Sequence, residues 1–238
     1  MSYTFPYDTC EYVVTIFDGV KTQPISTFLN SVNCVFIYRK LRLCSRISTK
    51  SVIASVLLFE LFHMLSHLVH IDGGLQTNLV HFSAYCVNVS LLCRFNELKT
   101  ETAIIPSTVF DTEIGFLQKY YNHFFLTYLF CLVCFDIYGF FFLSVIEYLT
   151  TQVIIFASLL IFYYKYIPSS VKHNTIAIVS LSGLIVSLFL IEEKYCVQMI
   201  AKQKIIPFHA IIEILGILLF DLFTLCLVEF DKDFKKNT

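Results

Sequence analysis

No tryptophan occurs in the 238 residues, and only 15% of them are charged. A soluble domain is about one quarter charged, so this chain cannot clothe itself against water on all sides. Without tryptophan, tyrosine is left as the aromatic suited to a membrane interface. Basic residues do not exceed acidic ones, at 17 against 18, and no zinc-finger, RNP or basic-helix pattern occurs, which sets nucleic-acid binding aside. Glycine-rich phosphate loops and the strand-turn-helix serine elbow of hydrolases are also missing. Residues 1–24 lack the basic start and apolar centre of a cleavable signal, so the first membrane span is expected to serve for targeting.

What is present is apolar: 57% hydrophobic residues and a mean hydropathy of +0.72. Seven apolar runs cover about Pro24 to Tyr38, Val52 to His70, Leu75 to Cys93, Phe124 to Phe142, Leu143 to Tyr164, Thr175 to Ile191 and Ile205 to Leu227. A span needs about 20 such residues. The expected fold is an all-α integral membrane protein, one domain over residues 1–238, with seven transmembrane helices. The fourth and fifth runs are separated only by a tight turn near Phe141 to Ser144. Residues 1–23 are expected to form an outer loop, and 228–238 a cytoplasmic tail. With the N-terminus outside or lumenal, thirteen of the seventeen basic residues fall on the cytoplasmic side, leaving Lys21, Lys194, Lys202 and Lys204 outside. The longest polar connection, Arg94 to Asn122, is too short for a further domain.

The second run carries Glu60, His63, Ser66, His67 and His70. At about 100° per residue these share one helical face. An ionisable group at the centre of a bilayer costs at least about 2.5 kcal/mol, so such a face turns inward and marks function or helix pairing. In the last run, His209 and Glu213 are spaced i, i+4 and can point at one ion. Charge-derived topology puts His70, His81, His209 and Glu213 at the same outer depth. Zinc takes imidazole and carboxylate donors, and a catalytic site uses three protein ligands with one open position. His70, His209 and Glu213 would supply the three.

Four segments carry a family likeness. They are Asp8-Thr9-Cys10-Glu11, the stretch Ile25 to Val32, Ser66-x-x-x-His70, and Phe208-His209-Ala210-Ile211-Ile212-Glu213-Ile214-Leu215; Glu192 to Cys196 adds a fifth, looser match. In these the chain resembles the alkaline ceramidases, seven-helix zinc amidases of a wider membrane hydrolase superfamily. The resemblance implies zinc at His70, His209 and Glu213, a zinc-activated water attacking the amide of ceramide, Ser66 stabilising the oxyanion and His81 moving protons. Sphingosine and a fatty acid would be the products, in the membrane of the endoplasmic reticulum or Golgi.

Two departures stand out. The family's second histidine on the last helix is Glu213 here, and its aspartate eleven residues after the second-helix histidine is His81. A rival register of the second helix makes His63 the ligand and puts Phe59 in place of the serine. The family also holds calcium near its N-terminus; Asp8 and Glu11 match, but other oxygen donors are replaced by Thr9, Val13 and Thr27, so the set is incomplete. It further implies a Cys10–Cys196 disulfide in an oxidising lumen.

Among the remaining candidates, Cys131-x-x-Cys134 is read as core packing. Asn88-Val89-Ser90 is read as a glycosylation triplet by chance, being inside a helix. Asp136 and Asp221 fit either interhelical hydrogen bonds or transport, and His123 and His173 are expected to be solvated. Three functions stay open: a ceramide-cleaving zinc amidohydrolase, a ceramidase-like fold that binds lipid or scaffolds without turnover, and an unrelated channel or transporter. The expected partner is a membrane lipid; no protein partner is evident.

Overall fold

The computed structural model describes residues 14–16, 20–69, 75–103, 111–143, 145–202 and 208–237. Seven α-helices run through them: α1 (Pro24–Leu43), α2 (Ile47–Leu68), α3 (Leu75–Ala103), α4 (Asp111–Phe142), α5 (Val145–Phe162), α6 (Lys172–Lys202) and α7 (Phe208–Asn237). Each coincides with one apolar run. Pro24 opens α1 in the first turn, where a missing N–H costs nothing. The α4–α5 break falls after Phe142, as the near-continuous apolar sequence predicts. There the helices close on Gly139, where a Cβ would lie 2.5 Å from the Tyr148 ring.

Helices α2 and α7 run antiparallel, joined at both ends. Asp231 of α7 accepts from the backbone N–H groups of Ser45 and Arg46, at 3.0 and 3.1 Å, and from Thr49 Oγ1 at 2.7 Å. At the other end His67 of α2 meets Glu213 of α7. Thr49 to His67 and Glu213 to Asp231 are both 18 residues apart, about 27 Å of helix. That approaches the roughly 30 Å of a bilayer's hydrocarbon layer.

Between these ends lies the core, built from Ile53, Val56, Leu91, Phe95, Phe156 and Phe223 among others. Phe156 meets Phe223 edge-on at 4.9 Å, and Phe95 stacks on Tyr163 at 5.1 Å. The outer faces remain apolar: Phe28, Phe130, Phe141 and Ile161 are all strongly exposed. Among the described residues, three helical stretches are long and apolar enough to cross a membrane, Ile47–Leu68, Ser169–Glu192 and Phe208–Lys232. Helices α1 and α3 are diluted by the polar side chains they turn inward, including Asn30, Asn33, Asn88 and Arg94.

Several expectations change. The N-terminal stretch contains a short antiparallel ladder, β1 (Val14–Ile16) with β2 (Val20–Thr22). The polar connection after Arg94 is largely helical, since α3 continues to Ala103 and α4 begins at Asp111. The tail beyond residue 228 also continues α7, to Asn237. Cys131 and Cys134 are exposed rather than packed. They share the outward face of α4 with Phe130, Val133 and Ile137, a face that lipid would cover.

Asp136 accepts a hydrogen bond from Tyr148, and Asp221 pairs with Lys40 at 3.2 Å, so both acidic groups join helices. Asn88 is buried and bonded to Gln152, beyond reach of a glycosyltransferase. His173 is exposed as expected, whereas the side chain of His123 lies outside the described residues.

Candidate metal centre

Two i, i+4 pairs face each other across the α2–α7 contact: His63 and His67 from α2, His209 and Glu213 from α7. One donor atom from each lies within 4.8 Å of all the others. Glu213 Oε1 is 3.0 Å from His209 Nε2, 3.3 Å from His67 Nε2 and 3.5 Å from His63 Nε2. The two α2 Nε2 atoms are 3.2 Å apart. A tetrahedron of nitrogen and oxygen donors about 2.0 to 2.1 Å from zinc has edges of about 3.3 Å. Four of the six donor separations lie near that edge, and the other two, from His209 to His63 and His67, are bounded by 4.8 Å.

The outer hydrogen bonds explain why the Nε2 atoms face inward. His67 Nδ1 lies 2.6 Å from Gln23 Oε1, and His209 Nδ1 lies 3.0 Å from both carboxylate oxygens of Glu192. An acceptor at Nδ1 fixes the proton there, so the Nε2 of a neutral ring presents a lone pair. His209 Nε2 and Glu213 Oε1 are buried and face each other at 3.0 Å. Two lone pairs this close repel, so the contact calls either for a proton on Nε2, which makes it an ion pair, or for a cation between them. The donor set fits a metal ion such as zinc.

Local sequence builds the support. Ser26, Asn30 and Asn33 form a buried polar stripe on α1 that faces the polar stripe of α2. Asn30 lies 3.5 Å from His63 Nδ1, Asn33 bonds Glu60, and Ser31 Oγ contacts Met64 Sδ at 3.1 Å. The chain leading into α1 is tied to the end of α2 by Gln23 N–H and Thr22 Oγ1, both donating to the His67 carbonyl, at 2.9 and 3.2 Å. This places Gln23 beside the His67 ring.

Of the residues singled out in the sequence, His209 and Glu213 come together as expected. His63, the rival-register residue, joins them along with His67. His70 lies outside the described residues. Ser66 is fully buried and donates to the His63 carbonyl at 2.6 Å. His81 is not one of the four converging residues; its ring stacks on Tyr148 with centroids 4.0 Å apart. Asp8, Glu11 and Cys10 lie outside the described residues, as does the side chain of Cys196, and the cysteines described there are all free.

His67, Gln23 and Glu192 had no assigned role in the sequence. The first could have been found, because His63-x-x-x-His67 repeats the spacing of His209-x-x-x-Glu213. Gln23 and Glu192 are separated from their partners by 44 and 17 residues, and no local pattern joins them.

Below the group lies a cavity of about 110 Å³. His63 and Glu213 form part of its wall, and most of the rest is apolar, including Phe59, Phe156, Phe189 and Leu219. The centre thus sits beside a space suited to a hydrocarbon chain. No family model matches this chain, and neither a curated protein nor a solved structure does.

Proposed function

We propose that this chain is a seven-span membrane protein, N-terminus outside, that hydrolyses the amide bond of a ceramide-like lipid at a zinc centre. The observation that carries the reading is the convergence of three imidazole Nε2 atoms and Glu213 Oε1 on the wall of an apolar cavity. The likeness of the His209 and Ser66 segments to the alkaline ceramidases supports the choice of an amide.

His63, His67 and His209 would hold the metal, with Gln23 and Glu192 fixing two of the rings. When bound, zinc polarises a carbonyl and makes water nucleophilic near neutral pH. Glu213 Oε1, 3.0 to 3.5 Å from the three Nε2 atoms, would leave the metal's open position to a water and take that water's proton as general base. The apolar wall holds the acyl chain and keeps bulk water from the reacting carbonyl. Ser66 acts through the α2 backbone, because its hydroxyl is committed to the His63 carbonyl.

A second reading rests on the same distances. Four protein donors gathered within 4.8 Å of one another would also suit a closed site, and closed zinc sites are structural. In that case the metal clamps α2 to α7 in a lipid-binding protein without turnover. The channel reading has less support, since the four converging residues occupy one end of the α2–α7 pair.

The test is purification in detergent, metal analysis, and an assay of fatty acid release from a short-chain ceramide. About one zinc per chain and release abolished by His209→Ala are expected. Zinc with no release supports the structural clamp, and absence of any bound metal sinks both readings.

A further inference from the structure

We propose that the connection between α5 and α6 binds the phosphomonoester of an anionic lipid headgroup through Lys165 and Lys172. The site stands apart from the hydrolase reading, since neither lysine belongs to the metal group or lines its cavity.

Tyr163, Ile167 and Val171, four residues apart, are each 2% exposed or less and anchor the connection in the core. Between them run two 3-10 turns, Tyr164–Tyr166 and Ser169–Val171. The N–H groups of Tyr166, Ile167 and Val171 close these turns on the carbonyls of Tyr163, Tyr164 and Pro168, at 2.9, 3.2 and 3.1 Å. Lys165 and Ser169 are thereby turned outward and exposed. Asn174, in the first turn of α6, hydrogen-bonds Cys226 of α7. Cys226 is 13 residues beyond Glu213, about 20 Å of helix, so the connection lies toward the opposite end of the bundle from the metal centre.

Two cations are fixed on this one turn. Lys165 Nζ lies 4.8 Å from the centre of the Tyr166 ring, and Lys172 Nζ lies 5.3 Å from that of Tyr164, both within cation–π range. A third stands nearby: Lys99, beyond the apolar run of α3, is held down to about 8 by burial first and by the charge of Lys165 second. Carboxylates at this end are engaged elsewhere. Glu97 faces Arg94 at 3.0 Å and Arg46 at 3.9 Å, Asp221 pairs with Lys40, and Glu229 pairs with Lys232. Among the described residues, no carboxylate pairs with Lys165 or Lys172.

Like charges gathered without a counter-ion repel, and a bound anion removes that cost. A phosphomonoester carries close to two negative charges and can accept from both ammonium groups and from the Ser169 hydroxyl. The start of α6 adds the positive end of a long helix. Basic residues at a membrane face also set orientation, but that task needs no aromatic seats and no anchored turn. The connection joins two apolar helices and carries tyrosines suited to the interface, which places an anion there at headgroup level and favours a lipid over a soluble phosphate.

The experiment uses the full chain purified in detergent. Titration calorimetry compares a short-chain phosphatidylinositol 4-phosphate with a short-chain phosphatidylcholine and with inorganic phosphate. Wild type should bind the phosphomonoester lipid at least about tenfold more tightly than either. Lys165→Gln and Lys172→Gln should each weaken that binding about fivefold, the usual worth of one basic residue beside an anionic headgroup, and Lys165→Arg should preserve it. Lys50→Gln, at an exposed lysine of α2 on the same end, should change it less than about twofold. If Lys172→Gln fails to fold, Lys165→Gln, at an exposed side chain, decides alone. Equal affinity for the two lipids overturns the proposal. So does an equal loss in Lys50→Gln, which would reduce the effect to diffuse surface charge. Inorganic phosphate bound as tightly as the lipid would give the turn to a soluble anion and overturn the lipid assignment.

Discussion

Glu192 sets both of its carboxylate oxygens 3.0 Å from Nδ1 of His209, and neither residue is measurably exposed beyond 1%. The contact joins α6, well before its end at Lys202, to the first turn of α7. It gives the imidazole one orientation and one tautomer, with Nε2 toward Glu213. Partners of this kind, one bond removed from a metal, typically change affinity 10- to 100-fold when lost. Glu192→Ala should therefore weaken zinc binding by about that factor, measured by competition with a chromophoric chelator. The helices should stay folded, as read by far-ultraviolet circular dichroism. Unchanged affinity would mean that His209 is not a ligand, or needs no orienting.

The α2 ligands can be separated by mutation. His63→Ala and His67→Ala each remove an Nε2 from the convergent set, whereas His70 is not needed to complete it. Zinc content should fall well below one per chain in the first two variants and stay near one in His70→Ala. A loss confined to His70→Ala would restore the register that keeps Ser66 four residues ahead of the ligand.

That comparison shows how much the sequence could reveal. Hydrophobic runs fix where helices lie, and the i, i+4 spacing of His209 and Glu213 marks one side of the site, because both signals are local. Helix rotation is not local. The helical period puts His63, His67 and His70 on one face in the sequence, and only packing against α1 and α7 decides which histidines meet Glu213. The end of α2 at Leu68 enters the same decision, since an apolar run does not show where its helix stops. Gln23 and Glu192 act over long separations and were legible only once the helices were brought together.

Glu213 distinguishes the two metal readings. Glu213→Gln keeps the side chain's size and an oxygen donor but removes the base. With three imidazoles still in place, zinc should remain bound with moderately reduced affinity. Fatty acid release should fall by about 10² to 10⁴, the usual worth of general base catalysis. If Glu213 is instead the fourth ligand of a closed site, the same change should leave lipid binding intact and lower the unfolding temperature in proportion to lost zinc affinity.

At the opposite end of α2, Asp231 gathers three donors from the α1–α2 corner, two of them backbone N–H groups at the start of the helix. A carboxylate there meets the positive end of the helix dipole. Asp231→Ala leaves the buried Thr49 hydroxyl and two part-buried N–H groups without this acceptor, and should cost about 1 to 3 kcal/mol in denaturant unfolding. The site is 18 residues of α7 from Glu213, so zinc affinity should be little changed.

Cys44 reports on the same corner. Its thiol is pushed up to about 11, chiefly by burial and further by the Asp231 carboxylate. A thiol near its ordinary value of 9.0 is half ionised at pH 9, whereas Cys44 would be about 1% ionised. Alkylation of Cys44 at pH 9 should thus be about 50-fold slower in the folded protein than after unfolding. The folded state keeps this proton while the unfolded state releases it, so the associated stability is complete below pH 9 and declines as pH rises toward 11. In Asp231→Ala, Cys44 should alkylate faster than in wild type yet slower than in the unfolded chain, because the larger cause, burial, persists. Mass-spectrometric tracking of the Cys44 peptide separates it from the exposed Cys93, Cys131 and Cys134, and equal rates in the two folded proteins would show that Asp231 does not act on this thiol.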